Sequence, residues 1–204
     1  MASLFYILCN IMEKIVEGIN LLRSLGVFSL VEILFLLGIL GWMGAAWKWA
    51  DWSRFVEFRA TIYIFILGDF LYNLLVKDDK LWIFVSPNLH VSHEILTVVT
   101  SFFTAPFAIM LFLSNYPAKS LLKQFGFILL FIGIYSIHEW IALRAGIFDH
   151  DNGWNLWWSL LINALAFPFL RLHQLKPVLA IFVFLLCTVG FSVLFDIDIL
   201  KHDK

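Results

Sequence analysis

Residues able to do chemistry recur in this chain at helical spacing inside apolar runs. Asp69, Tyr72 and Asn73 stand at i, i+3 and i+4, and so do Tyr135, His138 and Glu139, which puts each trio on one helix face. His90 and Glu94 share a face that continues through Thr97, Ser101 and Thr104, with His93 beside it. Asn155, Ser159 and Asn163 are four apart, and Thr188, Ser192 and Asp196 form a further stripe. Polar groups facing lipid cost free energy, so such stripes are expected to turn inward, toward one another or toward water. The candidate ligand-binding residues are therefore Asp69, Asn73, His90, His93, Glu94, His138, Glu139, Asn155 and Asn163. An intramembrane carboxylate is a functional hypothesis in its own right, because a charge at the centre of a span costs at least about 2.5 kcal/mol on insertion scales. Asp69 lies near mid-depth and is expected to hydrogen-bond a polar group on another helix, with Asn163 at similar depth the favoured partner.

Histidines beside carboxylates invite a metal reading, and the spacing tests it. His90-Val-Ser-His93-Glu94 offers two imidazoles three apart, but neither His-Glu pair completes the H-E-x-x-H zinc pattern. Asp149-His150-Asp151-Asn152-Gly153 lacks the glycine and the closing acid of a calcium loop and reads as a turn and cap ahead of a helix. Nucleophile elbow, phosphate loop and dinucleotide fingerprint are all missing. Neither a metal nor a cofactor is therefore expected. Glu94 and Glu139 are expected to face one another across the third and fourth spans, sharing a proton or a cation.

The elements that must hold these residues are membrane helices. About 20 apolar residues span a bilayer core, and six runs qualify: Val27 to Ala46, Ala60 to Val76, Val91 to Leu113, Phe125 to Leu143, Trp154 to Leu170 and Val178 to Phe195. Of the 204 residues 62% are hydrophobic and 14% charged, against about a quarter charged in soluble domains. The expected fold is all-α: a polytopic bundle of six transmembrane helices over residues 27–195, an N-terminal amphipathic helix lying in the interface over residues 1–26, and a short polar tail over residues 196–204. Trp42, Trp47, Trp49 and Trp52 suit one interface; Trp140, Trp154, Trp157 and Trp158 suit the other. The two cysteines, Cys9 and Cys187, have no metal-type spacing, and no basic tract points to nucleic acid.

With the side on which the first span begins called face A and the opposite one face B, lysines and arginines tie when the termini are counted. In the loops alone face B carries seven against three, predicting a cytoplasmic face B with both termini outside. Two function classes follow. One is a transporter or sensor binding a cation, a proton or a small polar solute in a cavity open to face A; the other is a metal-dependent intramembrane hydrolase or lipid-modifying enzyme, with a structural partner in a membrane complex as a third reading. Membrane lipids are partners in every case, and a second copy or a protein partner is compatible with each.

The strings Ala46-Trp47-Lys48-Trp49-Ala50-Asp51-Trp52, Gly68-Asp69-Phe70-Leu71-Tyr72-Asn73, Glu139-Trp140, Asn152-Gly153-Trp154-Asn155-Leu156-Trp157-Trp158 and Phe167-Pro168-Phe169-Leu170-Arg171-Leu172-His173 resemble an uncharacterised family of small integral membrane proteins from endospore-forming bacteria. The resemblance covers residues 46 to 173 and implies a bacterial inner-membrane protein. It puts weight on Asp69, Asn73, Glu139, His150, Asn155, Arg171 and His173, while the long N-terminal segment departs from the family's shorter pattern.

Overall fold

A computed structural model describes residues 30–76, 79–86 and 90–197. The N-terminal interfacial helix expected over residues 1–26, the first residues of the first span and nearly all of the polar tail lie outside the described residues. Within them the chain is a helix bundle: α1 (Leu30–Trp49), α2 (Phe55–Leu75), α3 (His93–Phe103), α4 (Ala105–Ser114), α5 (Leu121–Ala145), α6 (Leu156–Leu175) and α7 (Pro177–Leu194). Five segments are long and apolar enough to cross a membrane: Leu30–Trp49, Trp52–Leu75, His93–Ser114, Leu121–Ala145 and Pro177–Leu194. The fifth expected span, here α6, has the length but not the composition, because Ser159, Asn163, Arg171, His173 and Gln174 interrupt it. It packs between α5 and α7 and puts several of these groups onto neighbours.

Local chemistry sets the boundaries. Asp51 caps the 3-10 turn Trp52–Arg54 that leads into α2, accepting from the Ser53 amide at 3.1 Å and from its hydroxyl at 2.6 Å. Ser92, Ser120 and Asn155 cap α3, α5 and α6 by accepting backbone N–H groups of the first turn, which helices otherwise leave without partners. Gly146 ends α5 at φ 70°, a left-handed conformation in which a side chain would be strained. The third span is broken at Thr104, since Pro106 has no N–H to give back to the preceding turn.

A short antiparallel ribbon, β1 (Trp82–Phe84) with β2 (Phe148–His150), joins the two face-A connections in the register Trp82↔His150, Ile83↔Asp149 and Phe84↔Phe148. Those connections read as plain loops in the sequence. The turn expected at Asp151-Asn152-Gly153 is present, with Asn152 at φ 48° and Gly153 at φ 80°, but the cap of α6 is Asn155.

Packing is uneven along the bundle. Toward face B the interior is filled by Phe58, Ile62, Met110, Phe112, Phe131, Phe167 and their neighbours, with the Phe112 ring 5.0–5.6 Å from those of Phe127, Phe131 and Phe167. Toward face A a cavity opens beside a second, smaller apolar cluster of Val76, Leu81, Trp154 and Ile197.

Candidate functional site

The cavity holds about 280 Å³. Its walls come from α1, α2, α3, α5 and α6, and the ribbon closes it on the face-A side with Trp82, Phe84 and Phe148. Four of the nine candidate residues line it: Asp69, His138, Glu139 and Asn163, joined by Tyr135, Thr97, Thr100, Ser101 and Thr104.

Each polar stripe contributes differently. On α2, Asp69 points into the cavity and accepts a hydrogen bond from the Ser101 hydroxyl of α3. The expected bond to another helix is thus made, but to Ser101; Asn163 faces the same cavity without bonding to Asp69. One turn on, Tyr72 stacks on Trp82 with ring centroids 4.3 Å apart and accepts from the Leu81 amide at 3.1 Å. Asn73 donates to the Asp69 carbonyl at 2.8 Å. That face of α2 grips the connection to the ribbon.

His93 is buried and its two ring nitrogens are both engaged. The Phe84 amide donates to Nδ1 at 3.0 Å, which leaves the proton on Nε2 to be donated to Asn73 Oδ1 at 3.2 Å. Strand β1, α2 and α3 are thereby pinned together, and His93 has no lone pair left for a metal. Among the described residues no three His, Cys, Asp or Glu side chains converge as a ligand set. His90 and Glu94 are exposed. Glu94 pairs with Lys80, not with Glu139 or Arg144, so the expected carboxylate pair across the third and fourth spans is not formed. The physical reason is the choice between neighbours on a helix: positions 93 and 94 are both one turn from Thr97, and the charged one turns to the surface.

Glu139 has other partners. Its Oε1 accepts from Ser159 of α6 and lies 2.7 Å from His150 Nε2 of β2, while the Trp154 indole N–H donates to Ser159 Oγ at 2.8 Å. Both side chains of the Glu139–His150 pair are about 15% exposed or less. A cavity carboxylate is thus tied both to the roof and to α6. His150 was singled out by the family resemblance and not by spacing; it lies eleven residues from Glu139, and only the return of the chain through the ribbon brings them together.

Other groups in the cavity are uncommitted. Among the described residues the Tyr135 hydroxyl, the His138 ring and the Asn163 amide have no hydrogen-bond partner, and Thr104 Oγ1 is buried without one. The His138 Nε2 lies 3.0 Å from where a Cβ on Gly38 would stand, so the glycine makes room for the imidazole between α1 and α5. Of these only Thr104 Oγ1 is fully buried; Tyr135 and Asn163 are half-buried and His138 is exposed, and polar groups left open around a void are what a ligand or water can engage.

The remaining stripes are structural. Asn155 is exposed and caps α6, accepting from the Trp157 amide at 3.0 Å. Thr188 and Ser192 donate to carbonyls of their own helix, each at 2.9 Å. Trp47, Trp49, Trp140 and Trp157 are exposed as interfacial anchors would be, whereas Trp42 and Trp154 are buried against the cavity. Near face B, buried Thr61 and His173 are 2.9 Å apart, and Glu57 takes Arg54 at 2.7 and 2.8 Å and Gln174 at 2.6 Å.

No family model, curated protein or solved structure matches this chain. The resemblance to membrane proteins of endospore formers thus rests on the sequence strings alone.

Proposed function

We propose that this chain is a multi-pass protein of a bacterial cell membrane that binds a small polar solute or cation in its intramembrane cavity, as a transporter or a sensor. The observation that carries the reading is the set of open polar groups, Tyr135, His138, Asn163 and Thr104, around a void of about 280 Å³ that also holds two carboxylates. A bundle selected only for stability would fill such a void with apolar side chains, as the face-B half does. Depth supports the same reading: Asp69 and Asn163 lie near mid-span, where transporters commonly place their sites. The ribbon, tied to Glu139 through His150, provides a roof whose seat is itself part of the cavity wall.

Native mass spectrometry of the protein released from membranes tests the proposal. The wild type is expected to carry a small-molecule adduct that Asn163→Phe, which fills the cavity, removes while the protein stays folded. An absent adduct, or one that survives Asn163→Phe, would contradict it.

A further inference from the structure

The ligand class follows from what faces Asp69, on the footing that the cavity is a binding site. Among the described residues its lining includes neither lysine nor arginine, and the second carboxylate, Glu139, already has His150. Asp69 has only the Ser101 hydroxyl and no cationic partner among the described residues. A carboxylate half-buried within the bundle without a counter-charge is costly, and a cation brought alongside offsets that cost. The surroundings are aromatic: Phe65 stands one turn before Asp69 on the same face of α2, and Trp42 and Tyr135, with ring centroids 5.0 Å apart, form the facing wall with Phe35. Aromatic faces attract cations whose hydration shell is weak or absent, the usual means of recognising substituted ammonium groups. An inorganic ion would draw instead on the oxygens that line the same cavity, those of Thr97, Thr100, Ser101 and Thr104, and competition by sodium chloride separates the two.

We infer that the cavity takes a lipophilic organic ammonium ion, with Asp69 as its counter-ion and the Phe35, Trp42, Phe65 and Tyr135 rings around its apolar part.

The probe is radiolabelled benzyltrimethylammonium, measured by equilibrium dialysis against the full-length protein in phosphatidylcholine nanodiscs, with neopentylbenzene as the uncharged competitor of the same shape and sodium chloride as the inorganic one. Saturable binding is expected, resistant to both competitors, weakened about tenfold or more by Asp69→Asn as a charge-assisted contact is lost, and restored by Asp69→Glu. Trp42→Leu, which leaves the carboxylate in place, is expected to weaken binding several-fold and serves if Asp69→Asn does not fold. Unchanged affinity in folded Asp69→Asn or in Trp42→Leu, or equal competition by neopentylbenzene, would overturn the inference. No probe binding alongside a native adduct that Asn163→Phe removes would overturn it too, while leaving the binding reading intact.

Discussion

His93 and Glu94 show how much one residue step decides. Both lie a helical turn before Thr97, yet one is buried and joins three elements while the other pairs with Lys80 at the surface. Helical spacing made the inward face of the third span legible through Thr97, Ser101 and Thr104. It could not choose between positions 93 and 94, because the arc between them is smaller than the width of the face. The choice fixes the expected energetics. His93→Ala leaves the Phe84 amide and Asn73 Oδ1 without a partner and should cost about 1–3 kcal/mol, whereas Glu94→Ala removes an exposed ion pair and should cost about 0–1 kcal/mol. Thermal melting in detergent checks the order, and a larger loss for Glu94→Ala would contradict the assignment. Asp69 was legible as an inward carboxylate from its type and depth. Its partner was not, since Ser101 and Asn163 were equally allowed by spacing.

Among the elements, the helices were readable and the ribbon was not. Each strand has three residues, too short for an alternating pattern to register, and its partner lies over sixty positions away in the chain. Glycine, proline and capping signals placed most helix ends well; the α6 cap fell to Asn155, which had been grouped with the pocket because it continues the spacing of Ser159 and Asn163. Since Asn155 is exposed and, among the described residues, its side chain bonds only the Trp157 amide, Asn155→Ala should lower stability by about 0.5–2 kcal/mol. Asn155→Asp should restore it. A melting temperature equal to wild type in Asn155→Ala would mean that the cap carries no weight. The fifth expected span shows the opposite difficulty: α6 reads as a span in the sequence yet falls short of the others in apolar character, and the polar residues that lower it are those it uses to hold α5 and α2.

At the scale of the whole molecule the bundle and its membrane habit were legible from composition, but the uneven packing was not. Nothing in a string of apolar residues distinguishes the filled face-B half from the cavity toward face A; that difference arises from which rings meet. Alternation of the segments leads to a topological expectation. Single cysteines at Ser53 and Lys119, in a chain with Cys9 and Cys187 replaced by serine, should react with an impermeant thiol reagent from one side of the membrane, and one at Asn152 from the other. A shared side for Asn152 and Ser53 would break the assignment of faces.

The central claim is that the space between the helices is a polar, accessible site inside the membrane. Its most direct test is the alkylation rate of Asn163→Cys in the same cysteine-free background, compared with Leu186→Cys on the exposed apolar surface of α7. Thiols react as thiolates, which a dry apolar setting suppresses, so a small water-soluble reagent should modify Asn163→Cys about tenfold or more faster than Leu186→Cys. Equal, slow rates at both positions would show the cavity to be closed and dry and would contradict the account.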